Sequence, residues 1–390
     1  MHSLRQALSA DLDALAASGL RRECRQITPV SAATVTAAGK LLLVFGSNDY
    51  LGLARHPRLR EAATAALEEW GAGSTGSRLT TGTFPLHQEL EQELAKLKGA
   101  EAALFFPSGY QASVGTIPAL VGRGDLIVSD ALNHASLIDG CRLSRAEVRI
   151  YRHADPAHAC ELLADRHRYR RALLVTDGVF SMDGNLAPLP ELAALCERTD
   201  AWLMADDAHG TGVLGNSGAG TVEYFGLRGR VPVQMGTASK ALGAEGGFIA
   251  GPVELIDYLR NRARSFVFST APTPATVASV RAALGLLREE PERRDVLQRN
   301  IQLLRGGLRA RGVQVPEGVT PIIPVLIGDA RKTVRASAVL EREGFWIPAI
   351  RPPTVPDGTA RLRIGVSAAH TSEQIEQAVA TIARVLNEEL

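Results

Sequence analysis

From about residue 100 onward, short apolar runs alternate with stretches of helical period. Runs at 102–106 (AALFF), 126–130 (LIVSD), 147–151 (EVRIY), 172–177 (ALLVTD), 202–206 (WLMAD), 233–237 (VQMGT) and 247–250 (GFIA) predict strands. Most lack polar alternation, so they predict strands buried on both faces. Helical patterns at 110–121, 134–144, 156–165 and 189–199 separate most of them. Strands that alternate with helices predict an α/β fold with a mainly parallel central sheet, flanked by helices and joined by right-handed crossovers.

The last quarter changes character. A helical stretch over 273–312 precedes an apolar strand at 320–327, a helix at 331–343, strands near 345–350 and 361–367, and a closing helix at 371–388. Thr371 and Gln374 form a capping-box pattern at the start of that helix. The division expected is an N-terminal helix and arm (1–45), a large α/β domain (46–290) and a small C-terminal α+β domain (291–390). The first 24 residues carry three acids and no compact apolar block. They read as an amphipathic helix, neither a secretory signal nor a transit peptide.

Composition narrows the class. The chain has 390 residues, 43 basic and 42 acidic, for a formal net charge of +1. That balance gives no electrostatic reason to expect nucleic acid or an acidic membrane as partner. No apolar run approaches the ~18 residues of a membrane span. Cys24, Cys141, Cys160 and Cys196 fit neither a zinc pattern nor a dense disulfide framework. They read as reduced thiols of a cytoplasmic protein, and no metal site is expected.

The candidate chemistry lies at strand ends, where open α/β sheets bind their ligands. One strand ends in Asp206-Asp207-Ala208-His209 and another in Thr237-Ala238-Ser239-Lys240. A third ends in Asp177, with Ser181 just beyond. Taken singly, each is more often a solvated charge, a turn cap or a structural histidine. Together they match the needs of a pyridoxal 5'-phosphate (PLP) site. A lysine forms the Schiff base, a carboxylate keeps the pyridine nitrogen protonated, and an imidazole stacks on the ring or bonds its phenolic oxygen. The small-residue turn 107–111 (PSGYQ) opens a helix and suits the phosphate. Residues 70–83 (WGAGSTGSRLTTGT) form a second small-residue segment ahead of an acidic helix. It is neither a P-loop nor a dinucleotide fingerprint, and it is expected to wall the site.

These motifs resemble the α-oxoamine synthases, a family of fold-type I PLP-dependent transferases, over nearly the whole chain from about Leu20. The resemblance rests on 47–53 (SNDYLGL), the segment 71–83 with His87, 133–136 (NHAS), 177–184 (DGVFSMDG), 206–210 (DDAHG) and 237–240 (TASK). It implies PLP as cofactor and Lys240 as the Schiff-base lysine. Asp206 becomes the pyridinium partner, His209 and Ser181 neighbours of the phenolic oxygen, and His134 the stacked ring. The phosphate falls to Gly109, Tyr110 and Thr237, with Ser269 and Thr270 lent by a second subunit of a homodimer. Arg363, with Asn48, would hold an amino-acid carboxylate. Thr354 and Arg21 would contact the acyl substrate, with Arg22 as a substitute for Arg21. The segments 349–356 (AIRPPTVP) and 358–363 (GTARLR) resemble the branch of the family that condenses L-alanine with a pimeloyl thioester, carried by coenzyme A or acyl carrier protein. The runner-up is the branch that uses glycine and an acetyl thioester. A fold kept for binding without catalysis would lack a reason for intact Lys240, Asp206 and His209.

Overall fold

The computed structural model describes residues 2–18, 20–22 and 24–389. Seven strands form the large sheet, at Ala102–Phe106, Leu126–Asp130, Glu147–Tyr151, Ala172–Asp177, Trp202–Asp206, Val233–Thr237 and Gly247–Gly251. Taking them in chain order as first to seventh, their order across the sheet is first, seventh, sixth, fifth, fourth, second, third. Five of them run parallel in an unbroken block from Val233–Thr237 to Glu147–Tyr151. Only Gly247–Gly251 runs against its neighbours, antiparallel to both Ala102–Phe106 and Val233–Thr237. Those two therefore share the direction of the block, and the sheet is mainly parallel as expected. The four innermost strands of the block keep an apolar, buried character along their length, consistent with helices on both faces.

The helical stretch expected over 273–312 is two helices, Pro274–Glu289 and Glu292–Ala310. Pro291 lacks the N–H an α-helix needs in its interior, so the first helix ends before it and the second begins after it. We propose this break as the passage from the large domain to the small one. Beyond it, Ile322–Gly328, Ala360–Gly365 and Ala349–Ile350 make a three-stranded antiparallel sheet. The closing helix, Ser372–Glu389, starts on the expected box: Gln374 N–H donates to Thr371 Oγ1 at 3.2 Å, and Thr371 N–H to Gln374 Oε1 at 3.0 Å.

Near the N-terminus, the strands Thr28–Pro29, Thr34–Ala37 and Lys40–Val44 join Phe345–Trp346 in a small sheet that the apolar pattern does not announce. These strands are two to five residues long and half exposed, so they carry little periodic signal. One continuous apolar cluster runs from Leu90 and Phe105 through Leu284 and Leu304 to Ile323, Leu362 and Val385. It binds the C-terminal sheet to the helices of the large one. Among the described residues, no helix is long and apolar enough to cross a membrane.

One polar contact sits deep in this scaffold. Lys98 and Asp207 are both fully buried and paired at 2.7 Å. Asp207 also accepts from the Thr221 N–H and hydroxyl, and Lys98 donates to the Ala219 carbonyl at 2.6 Å. Removing one partner leaves an uncompensated buried charge. Lys98→Ala should therefore cost about 3–5 kcal/mol in chemical denaturation; a loss below about 1 kcal/mol would show that the pair is not holding this turn.

Candidate active site

Parallel pairing sets the site. Asp177 and Asp206 are register partners on neighbouring strands, and Asp206 pairs in turn with Met235, two residues before Thr237. Two strand ends therefore stop at one level and the third runs two residues further, with their turns leading to Ser181, His209 and Lys240. A cavity of about 210 Å³ opens there. Of the residues singled out in the sequence, Gly109, Tyr110, His134, Ser181, Asp206, His209, Thr237 and Lys240 all line it.

The helix Gly109–Leu120 points its N-terminus into this cavity, capped by Ser108, whose hydroxyl accepts from the Gln111 N–H at 3.2 Å. Glycine is required on both sides of the contact. A Cβ on Gly247 would collide with the Gly109 backbone, and one on Gly109 would lie 2.9 Å from the Met235 methyl. Free N–H groups at a helix start favour an anion. Thr237 Oγ1 donates to the Gly246 carbonyl at 2.7 Å and lies 2.8 Å from Ser239 Oγ, which fixes the turn leading to Lys240.

Burial sets the electrostatics. It lowers the pKa of Lys240, with Arg363 pushing the same way and Asp206 and Asp177 opposing. It raises the pKa of Asp206 against the pull of Lys240. Burial, then Lys240 and Arg363, hold His209 well below the usual imidazole range, so it is neutral at pH 7. His209 Nδ1 lies 2.7 Å from the Tyr50 hydroxyl. That hydroxyl donates to Asn48 Oδ1 at 3.0 Å, which also accepts from Arg363 Nη2 at 3.1 Å. Arg363 Nε donates to the Ser181 carbonyl at 2.6 Å. Asn48 and Arg363 are thus joined to His209 through Tyr50, to which the sequence alone assigns no role. Asp177, a cavity-lining residue also left without a role, is buried and has one carboxyl oxygen with no hydrogen-bond partner.

Other expected residues lie elsewhere. Thr354 lines a second cavity of about 700 Å³, walled by Met182, Pro352, Pro353 and Arg361. Ser181 lines both cavities, so they adjoin. Arg22 Nη2 donates to Thr354 Oγ1 at 3.3 Å, and neither Arg21 nor Arg22 itself lines either cavity. Ser269 and Thr270 stand outside the cavity of this chain. The segment 71–83, expected as its wall, does not line it either. It packs on 270–272 instead: Ala271 N–H donates to the Gly76 carbonyl at 2.9 Å and Ser74 Oγ to the Pro272 carbonyl at 2.7 Å.

The residues present fit PLP: a helix N-terminus for its phosphate, a lysine of lowered pKa for its aldehyde, a buried carboxylate for its ring nitrogen. The family model for aminotransferase class I and II matches residues 40–382. The chain belongs to this family. Within it, the chain is 47% identical to an 8-amino-7-oxononanoate synthase of Lysinibacillus sphaericus, with 96% of each chain covered. It is 50% identical to one from Anaeromyxobacter dehalogenans, covering 97% of this chain and 95% of that one. A serine palmitoyltransferase of Sphingomonas wittichii shares the fold at a TM-score of 0.91 with 32% identity, over 98% of this chain and 97% of that one. A structure titled as SPT with a PLP internal aldimine gives 0.92 at 31% identity, over 99% and 98%. The 8-amino-7-oxononanoate synthase of Francisella tularensis gives 0.76 at 27%, over 89% and 98%. The resemblance to α-oxoamine synthases and the fold-type I class are thereby borne out.

Tyr50 is fully buried, and its hydroxyl serves both His209 and Asn48. Tyr50→Phe should lower stability by about 1–3 kcal/mol in chemical denaturation, the cost of stranding buried polar partners. A neutral result would mean the His209–Tyr50–Asn48 chain is not a structural support.

Proposed function

We propose that this protein condenses L-alanine with a pimeloyl thioester, with loss of CO2, to give 8-amino-7-oxononanoate, a step of biotin biosynthesis. It would do so as a PLP-dependent C-acyltransferase. The observation that carries this reading is a lysine of lowered pKa facing a buried aspartate, in a cavity that adjoins a second one at Ser181. The near full-length identity with 8-amino-7-oxononanoate synthases supports the choice of substrates.

When bound, PLP supplies an electron-withdrawing ring that takes up the electron pair left as bonds at an amino acid's α-carbon break. The chain's own groups do the rest. The Gly109 helix start and the Thr237 turn hold the phosphate. Asp206 would hold the pyridine nitrogen in its protonated form, and His134 and His209 would help hold the ring. Arg363, with Asn48, binds the alanine carboxylate, a task a guanidinium fork performs well. Lys240 Nζ removes the α-proton, a task that its lowered pKa favours. The alanine α-carbon then bonds to the thioester carbonyl and the thiol leaves. The carboxylate departs as CO2, and a proton returns to the same carbon. The second cavity, lined by Thr354, which Arg22 contacts, accepts the acyl chain. Arg21 is kept as a further acyl contact.

A homodimer is part of the reading. Phe268 is 72% exposed beside Ser269 and Thr270, which would serve a partner's phosphate site. The N-terminal helix His2–Ala17 leaves Leu4, Leu8, Leu12 and Leu15 exposed, a stripe that a second copy would cover. Four free cysteines, two of them exposed, support a cytoplasmic setting.

The test is an absorbance titration of the PLP-loaded protein with L-alanine, glycine and L-serine, then addition of pimeloyl-CoA or the pimeloyl carrier protein. Alanine should perturb the visible band at the lowest concentration, and the thioester should then release one CO2 per product. A response to glycine alone, completed by acetyl-CoA, would replace this reading with the glycine-acetyl one. Lys240→Ala should cut turnover by about 10⁴-fold, the upper end for a positioned proton-transfer group; wild-type turnover would remove Lys240 from the mechanism.

A further inference from the structure

Asp177 is a buried acid that the proposed mechanism does not use. It is 3% exposed, and Asp206 is 4% exposed. The two are register partners on adjacent parallel strands, so their side chains leave the sheet on the same face. The Gly178 N–H donates to the Asp206 carbonyl at 2.7 Å, which pins the two strand ends together. Both side chains line the same cavity.

The surroundings supply too little positive charge for two carboxylates. Among the described residues, Lys240 and the His134 backbone N–H favour the Asp177 charge, while burial, Asp206 and Asp130 oppose it. Asp130 is already committed, accepting from Leu132 N–H and Ala154 N–H and lying 2.9 Å from His153 Nδ1. The nearest amide is committed as well. Asn133 Nδ2 donates to Ser129 Oγ and to the Val175 carbonyl, both at 2.9 Å, and Asn133 Oδ1 accepts the Asp177 N–H at 2.8 Å. Asp177 Oδ2 is left buried with no partner. A charged oxygen in that position would bear the full cost of desolvation, and a neutral hydroxyl would not. Two like-charged carboxyls at one site titrate as a pair, with one proton retained.

We propose that Asp177 is a positioning residue that carries the proton of a carboxyl pair with Asp206. The pair then holds one negative charge, and that charge resides on Asp206, where it faces the cofactor's pyridine nitrogen. This rests on the PLP reading above. Burial, followed by the Asp206 charge, raises the Asp177 pKa well above the carboxylate range, in the direction the geometry requires. Ionisation of Asp177 at high pH would place a second negative charge beside Asp206 and disturb the ring it supports.

The test uses infrared spectroscopy, PLP binding and a pH titration of visible absorbance on wild-type protein and Asp177→Asn. The wild type at pH 7 should show the carbonyl band of a neutral carboxylic acid, and Asp177→Asn should lack it. The variant should hold PLP within about threefold of wild type, since a neutral amide replaces a neutral acid. The alkaline transition of the wild-type absorbance should shift in the variant. An unchanged infrared band, or an unchanged alkaline transition, would overturn the proposal. So would loss of PLP affinity as large as that of Asp206→Asn. If Asp177→Asn does not fold, Asp177→Ser, smaller and also neutral, should show the same loss of the band. Failure of the wild type to take up PLP would refute the functional reading instead, and the band in the cofactor-free protein would still decide where the proton sits.

Discussion

A small excess of acid over base at three neighbouring strand ends is the constraint on which the site depends. Asp177 and Asp206 stop at the same level because their strands pair in register. Lys240 lies three residues beyond Thr237, where the strand paired with that of Asp206 ends. Each group is desolvated, so each shifts toward its neutral form unless the others compensate. The lowered pKa of Lys240 and the raised pKa of Asp206 are both products of this one balance.

The neighbouring residue shows how closely the scaffold separates two identical side chains. Asp206 lines the cavity, and Asp207 is fully buried in its pair with Lys98. The Thr221 N–H and hydroxyl complete the bonding of Asp207. Glycine at 178, 210 and 220 leaves room for that carboxylate, since a Cβ at any of them would press on it. One aspartate thus locks the turn that aims the other. Lys98 and Lys240 divide in the same way, one buried in an ion pair and the other lining the cavity.

Much of this is legible in the sequence, and for physical reasons. The seven strands of the large sheet show because buried parallel strands are uninterrupted apolar runs, and they appear within one residue of where the runs place them. Asp206, His209 and Lys240 show because strand-end chemistry has a fixed position relative to those runs. The helix Pro57–Trp70 does not, since only Leu59 and Ala66 of its side chains are buried. Tyr50 stays hidden because its partners are His209, 159 residues away, and Arg363, 313 away. An isolated aromatic in a loop signals core packing, and only the folded chain reveals the hydroxyl's task. The placement of 71–83 outside this chain's cavity likewise depends on tertiary contacts with 270–272 that no local pattern encodes.

The central claim is that Lys240, and no other lysine, is the cofactor's attachment point. The chain has four others, Lys40, Lys96, Lys98 and Lys332. Borohydride reduction of the PLP-loaded protein fixes the cofactor to its lysine, and peptide mapping by mass spectrometry then reads the position. The account predicts the phosphopyridoxyl mass on the peptide containing Lys240 alone. The mass on Lys98 or any other lysine, with Lys240 unmodified, would contradict it.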